Sequence, residues 1–192
     1  MAHSIQDFKS TLIGGGARPN LFEVILPNTF PGASEENYDT EQFSVLCKAA
    51  QLPASNIASI DVPFRGRVFK VAGDRTFDTW TVTVINDTDF NIRSAMERWM
   101  QTIGQYADGS GATDPADYQI DAVVKQFTRL PSTTGNNVAT GQGLDVAKQY
   151  RFYGLFPTNI SAIDVSYDNT DTIEEFTVEF QVQYWTPFTG EA

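Results

Sequence analysis

The chain has 192 residues, and its 13 Lys and Arg against 24 Asp and Glu leave a formal charge of −11, with one His and one Cys. A length in the range of roughly 100–200 residues predicts one domain able to bury a substantial core, and the lone Cys47 excludes an internal disulfide framework and suits a reducing compartment. Met1 to Thr11 holds no apolar core of a signal peptide, and no stretch approaches the ~20 apolar residues of a membrane span, so the expectation is a soluble protein made in a cytoplasm, with no membrane anchor.

The charge is unevenly placed. The last basic residue is Arg151, and Asp164, Asp168, Asp171, Glu174, Glu175, Glu179 and Glu191 follow it, so −7 of the −11 sits in the final 41 residues. Polyanion-binding proteins concentrate Lys and Arg on one surface, because neutralising phosphates supplies most of the affinity. This chain repels nucleic acid on average. Either it has nothing to do with nucleic acid, or it presents a surface near nucleic acid that must not stick.

In chain order, residues 1–17 read as a flexible N-terminal arm hinged at Gly14-Gly15-Gly16, residues 18–186 as a single body and residues 187–192 as a C-terminal tail. Asn20–Leu26 is a weak strand candidate. Pro27–Glu41, polar and rich in turn formers, reads as a surface loop. Gln42–Ala49 follows as a strand candidate, with Cys47 a buried small hydrophobe in it. Ile57–Val62 and Gly66–Val71 are two more. From Thr79 to Asn86 the alternation is clear: Trp80, Val82 and Val84 fall on one face, Thr79, Thr81 and Thr83 on the other. The period then changes. Ile92, Ala95, Met96, Trp99, Met100 and Ile103 recur at three- and four-residue steps, which predicts one helix over about residues 89–103, capped by Asp87, Thr88 or Asp89 and ended by Gly104. A loop at Asp108–Pro115, a strand at Tyr118–Arg129 and a second polar loop at Pro131–Gly143 come next.

Between Lys148 and Phe156, Tyr150, Phe152 and Phe156 form an apolar row interrupted by Gly154. Pro157 stops that run before a further strand-like stretch, Asn159–Tyr167. The cleanest alternation is the last, with Phe176, Val178, Phe180, Val182 and Tyr184 facing one way and Glu175, Thr177, Glu179, Gln181 and Gln183 the other. The sum is about nine strands. The fold class is therefore mainly β, two packed antiparallel sheets forming a sandwich or barrel with one flanking helix.

Catalytic chemistry finds little to use. The only histidine, His3, lies in the N-terminal arm, far in sequence from any nucleophile. Zinc sites want several Cys or His at short spacing. Asp87-Thr88-Asp89-Phe90-Asn91 opens like a calcium loop but places Ile92 where Gly is needed and Arg98 where Glu is needed. Glu174 and Glu175 are adjacent strand residues and face opposite sides. No enzyme activity, metal site or cofactor is expected.

The most polarised segment is Arg65 to Arg75, where Arg65, Arg67, Lys70 and Arg75 bring four of the 13 bases into eleven residues. It is either a solvated hairpin with its bases outward, or a basic patch that meets an acidic patch on a neighbouring copy. Contacts of the second kind are heterologous and generate rings or stacks.

Ala17-Arg18-Pro19-Asn20-Leu21-Phe22, Cys47-Lys48-Ala49 with Leu52-Pro53, and Val71-Ala72-Gly73-Asp74-Arg75-Thr76-Phe77-Asp78 leading into Trp80-Thr81-Val82-Thr83-Val84 resemble the tail tube proteins of contractile-tailed, T-even-type bacteriophages. So does the block Gly154-Leu155-Phe156-Pro157-Thr158-Asn159 through Phe176-Thr177-Val178 to Tyr184-Trp185. The resemblance runs from about Arg18 to Trp185. It implies a structural virion protein, assembled in the host cytoplasm, whose hexameric rings stack into a tube inside a contractile sheath. Its implied partners are further copies of itself, the sheath, baseplate, tape-measure and tail-terminator proteins, and genomic DNA in transit without specific binding. Within that frame Glu175, Glu179, Gln181 and Gln183 face either the lumen or the sheath, and Arg65, Arg67, Lys70 and Arg75 serve subunit or ring contacts. The alternatives are a type VI secretion-like tube protein, which shares the fold, or another ring-forming β-sandwich binding module.

Overall fold

A computed structural model describes residues 4–12, 16–31, 33, 38–131, 144–168 and 170–188. Nine strands carry the architecture: β1 Phe22–Ile25, β2 Cys47–Ala50, β3 Ser55–Phe64, β4 Arg67–Phe77, β5 Trp80–Ile85, β6 Ile120–Pro131, β7 Leu144–Ile160, β8 Glu175–Gln181 and β9 Tyr184–Phe188. Three helices accompany them, α1 Ile5–Thr11, α2 Thr40–Leu46 and α3 Asn91–Ile103. Seven strands form one antiparallel path, β1-β6-β7-β8-β5-β2, with β9 also on β7; β3 and β4 form a separate two-stranded hairpin.

The path becomes a sandwich because β7 is long and bends. Its first part pairs with β6 as far as Ile120 opposite Leu155, and with β9 from Gln149 to Tyr153. Its last part, Phe156 to Ile160, pairs with β8. The change of direction sits at Gly154, whose φ is +62°, a left-handed conformation that costs other residues about 1–3 kcal/mol. A Cβ there would lie 2.6 Å from Gln183 Cγ and 3.1 Å from Gln119 Oε1. The partner strand breaks at the same level: β8 ends at Gln181, β9 begins at Tyr184, and the Gln183 amide donates to the Tyr153 carbonyl. Sequence alternation through Tyr184 therefore describes two strands and a corner, and Gln183 belongs to the corner.

The two halves close on one core. Trp80 of β5 stacks on Phe152 of β7 with ring centroids 4.4 Å apart and lies 5.5 Å from Phe180 of β8. Trp99 of α3 lies 6.0 Å from Phe180 and 4.8 Å from Phe30. Both buried indoles keep a partner, since Trp80 Nε1–H donates to the Gln51 carbonyl and Trp99 Nε1–H to that of Tyr118. As its spacing predicts, α3 buries Ile92, Ala95, Met96 and Trp99 and ends at Gly104. Phe90 precedes it with a φ of +55°, and Asp87 does the capping from one residue further back, its carboxylate accepting from the Asn91 amide.

Several expectations change. Residues 42–46, expected as strand, belong to α2, which buries Phe43; the strand begins only at Cys47. The Asp39 side chain accepts from the Glu41 amide, a cap that starts a helix where β-branched content had suggested a strand. The stretch 27–41 is not wholly a surface loop, because Phe30 and Tyr38 enter the core and meet edge to face at 4.7 Å. Pro157 does not end its strand: β7 continues to Ile160, and residues 161–167 are not strand. By Pro157 the β6 ladder has already stopped, so the missing N–H costs no bond on that edge. The arm contains α1, closed by a reciprocal Ser4–Asp7 capping box and burying none of its residues. Residues 132–143, most of the second predicted loop, and 13–15 of the predicted hinge lie outside the described residues.

Gly154→Ala should lower the unfolding free energy by about 2 kcal/mol, through positive φ and the contact with Gln183 together. Urea denaturation of the double variant Gly154→Ala/Gln183→Ala should recover the steric part only, leaving a residual loss of about 1 kcal/mol.

Candidate assembly surfaces

Three surfaces stand out once the core is closed. The first is the outer face of β8 and β5. Glu175, Thr177 and Glu179 lie opposite Ile85, Thr83 and Thr81, while Phe176, Val178 and Phe180 pair inward with Val84, Val82 and Trp80. Gln181 joins this face opposite Phe156, and Asn159 joins it opposite Glu179. The face is made of hydroxyls, amides and carboxylates. Its one ion pair joins Lys48, just after the start of β2, to Glu175. Of the four polar residues read from the sequence, Glu175, Glu179 and Gln181 share this face, and Gln183 stands apart at the β8–β9 corner.

The second surface is the β3–β4 hairpin. Its turn is Arg65-Gly66, with φ of +47° and +81°, the positive pair that a two-residue type I′ turn requires. Phe64 opposite Arg67, Val62 opposite Phe69 and Ile60 opposite Val71 share one face. Asp61 opposite Lys70 and Pro63 opposite Val68 share the other, where Lys70 Nζ lies 2.8 Å from the Asp61 carboxylate. The apolar face is uncovered: Phe64 is 66% exposed and Phe69 67%, with Ile60, Val62 and Val71 exposed as well. The Arg65 guanidinium lies 5.4 Å over the Phe64 ring at the tip. The four predicted bases are thus all on the hairpin but not in one cluster. Arg65 and Arg67 crown the tip, Lys70 is ion-paired on the opposite face, and Arg75 sits near the root opposite Ile57.

The hairpin touches the body only at its base. There Trp185 Nε1–H donates to the Ala54 carbonyl, Phe77 meets Trp185 edge to face at 6.0 Å, and Asn56 donates to Asp78. An isolated two-stranded hairpin is marginal in water, and soluble monomers rarely leave a contiguous apolar patch of this kind open. The alternation at Ile60, Val62, Phe64 and at Arg67, Phe69, Val71 signals an apolar face in the sequence. Nothing in that pattern says whether the face is buried by the same chain, which is why the bases, and not the apolar residues, drew attention first.

The third surface is the connector from Ser161 to Glu174, between β7 and β8. Tyr167 is fully exposed, and Val165 and Ile173 are also open to solvent, interleaved with Asp164, Asp168 and Asp171.

A family model described as phage tail tube protein matches residues 17–187. The chain belongs to the phage tail tube protein family. Tail tube protein gp19 of Enterobacteria phage T4 is 34% identical over 172 residues, which are 90% of this chain and 92% of gp19. A chain in the cryo-EM structure of the anti-feeding prophage tube-terminating cap superposes with a TM-score of 0.62 at 16% identity, over 91% of this chain and 92% of that one. A chain in the extended sheath–tube complex of the extracellular contractile injection system PVC gives 0.55 at 10% identity, over 98% and 100%. At these identities the two structural likenesses speak for the fold: this tail tube family member shares its sandwich with components of contractile injection machines. Membership in the family also places the chain among virion structural proteins and sets the type VI secretion reading second.

Cys47 belongs to the core, as expected. Burial pushes its thiol from the ordinary 9.0 up to about 12, against a small opposing effect of its contact with the Ala49 carbonyl. Burial, with Asp39 nearby, likewise pushes Tyr38 up. The folded thiol holds its proton more tightly than the unfolded one, so its contribution to stability is full below pH 9 and falls as pH rises towards 12. Urea midpoints should therefore drop between pH 9 and 10 in the wild type and drop less in Cys47→Ala. The native thiol should also resist an aromatic disulfide reagent at pH 8 until the protein is unfolded.

Proposed function

We propose that this structural virion protein forms hexameric rings that stack into the phage tail tube, with the outer face of β8 and β5 turned to the channel and the β3–β4 hairpin turned to neighbouring copies. The observation that carries the reading is the hairpin. It spans about 30 Å at 3.3–3.4 Å per residue, it is secured to its own body only at the root, and its apolar face has nothing of its own chain upon it. Covering Ile60, Val62, Phe64, Phe69 and Val71 would stabilise an assembled state by on the order of 1 kcal/mol each. A lone copy gains none of this.

The assignment of the channel rests on charge and on edges. Duplex DNA carries about one charge per 1.7 Å of axis, so a wall that DNA slides past must offer it no unpaired cations. The Thr, Gln and Glu face meets that condition, because its one Lys is held by Glu175. At its two margins, β2 pairs with β5 alone, and residues 156–160 of β7 pair with β8 alone. Neighbours joining through these edges would close a continuous barrel and leave no strand edge open. A contractile sheath, baseplate, tape-measure and terminator proteins are the partners such a tube requires, and the opposite face, where Arg151 pairs with Asp121 and Lys125 with Glu23, is left for the sheath side.

Val62→Ser/Phe69→Ser should leave the monomer's melting temperature within about 2 °C of wild type, since both residues are exposed. The same variant should abolish rings and tubes seen by electron microscopy; wild-type assembly by it would refute the hairpin's role. Particles built with Glu175→Lys/Glu179→Lys should keep tails of normal length yet lose at least ~10-fold in plating efficiency through DNA held in the channel. Unchanged plating would remove the lumenal assignment.

A further inference from the structure

We infer that the connector from Ser161 to Glu174 is the seat for the β3–β4 hairpin of the next copy, so that copies join head to tail through these two segments. The inference rests on the stacking reading above and adds the contact that holds one ring on another.

Position comes first. The hairpin is rooted beside Trp80, the first residue of β5, where Gln51 N–H donates to the Thr81 carbonyl. The connector is rooted at the other end of the same sheet. Ser161 N–H donates to the Thr177 carbonyl, and Asn86 N–H, just past the end of β5, donates to the carbonyl of Glu174. Trp80 pairs with Phe180, and Ile85 with Glu175, so the two roots are separated by the length of β5, about 17 Å. Both segments are exposed in the single copy and so do not cover one another.

Chemistry comes second. The hairpin, residues 55–77, carries four bases and two acids around an apolar face; the connector carries four acids, Asp164, Asp168, Asp171 and Glu174, and no base, around Val165, Tyr167 and Ile173. Two hairpins face to face would oppose Arg65 and Arg67 to themselves, and two connectors would oppose acids to acids. Only the unlike pair brings apolar surface together with opposite charge. Because unlike surfaces at opposite ends of one copy make a heterologous contact that does not close, it propagates along an axis. The helix α1 also exposes apolar side chains, Ile5, Phe8 and Leu12, but with one Asp against one Lys it lacks the complementary charge.

Charge exchange in the full-length chain tests this. Arg65→Glu/Arg67→Glu and Asp168→Lys/Asp171→Lys should each raise the concentration needed for stacked tubes at least ~10-fold, with unchanged circular dichroism. The quadruple variant should restore stacking. So should a one-to-one mixture of the two double variants, in which each hairpin finds a seat of opposite sign on the other chain. Stacking by either double variant at the wild-type concentration, or failure of both combinations to restore it, would overturn the pairing while leaving the tube reading in place. Failure of the wild type to form rings or tubes at any concentration would overturn the tube reading and this contact with it. Independently of charge, Val68→Cys/Tyr167→Cys should give a ladder of disulfide-linked multimers on oxidation, with Cys47 buried and silent; monomer bands alone from assembled tubes would count against the contact.

Discussion

The bend of β7 at Gly154 is the constraint on which the rest of this molecule depends. One strand of 17 residues supplies a member to both halves of the sandwich, so the angle between the halves is set by a single backbone position with positive φ. Phe152, just before the bend, meets Trp80 from the other half, and Pro157, just after it, lies opposite Phe180. Gln183, at the matching corner of the partner strand, fills the space a side chain on residue 154 would take. Because β6 stops where β7 turns, residues 156–160 keep one edge unpaired. The geometry that closes the core thus also opens the sheet margin that a neighbour can use.

Much of this was legible in the residues, because it follows from local periods. The alternation at Trp80, Val82 and Val84, the helical stripe from Ile92 to Ile103 and the polar row at Glu175 and Glu179 each report a half-buried surface, and burial obeys them. What failed was any reading where local pattern and tertiary position disagree. Residues 42–46 are apolar enough for a strand, yet Asp39 caps a helix there and Phe43 is drawn beneath the sheet. Phe30 and Tyr38 sit in a stretch whose polar composition points to the surface, and only the position of Trp99 explains why two aromatics of that stretch turn inward. Proline at 157 signals a stop to any sequence rule, because the rule cannot know that β6 has already ended.

The candidate surfaces show the same division more sharply. Charge is a property of residues, so Arg65, Arg67 and the acidic C-terminal block were visible at once. Exposure is a property of the fold. The apolar face of the hairpin reads in sequence as two ordinary half-buried strands, and only the absence of a third layer over Ile60, Val62 and Phe69 converts it from core into a surface that seeks a partner. Gln183 fails for the complementary reason: its parity is right, but the strand it would belong to has already ended.

A tube subunit must solve two opposed problems, remaining soluble as a free copy and adhering strongly at defined places. A long flat hairpin with Phe64, Val68 and Phe69 exposed is an aggregation hazard by composition. Here the hazard is bounded by Arg65 and Arg67 at the tip, by Pro63 within β3 and by the Asp61–Lys70 pair on the reverse face, which together leave an identical hairpin no favourable way to dock. The formal charge of −11 adds a general repulsion between copies that falls off within about 8 Å at physiological ionic strength. Only a contact that places the basic tip against an acidic segment reverses its sign locally. Net charge then acts as the background against which a single orientation of approach becomes favourable, and the uneven placement of that charge along the chain gives the assembly a direction.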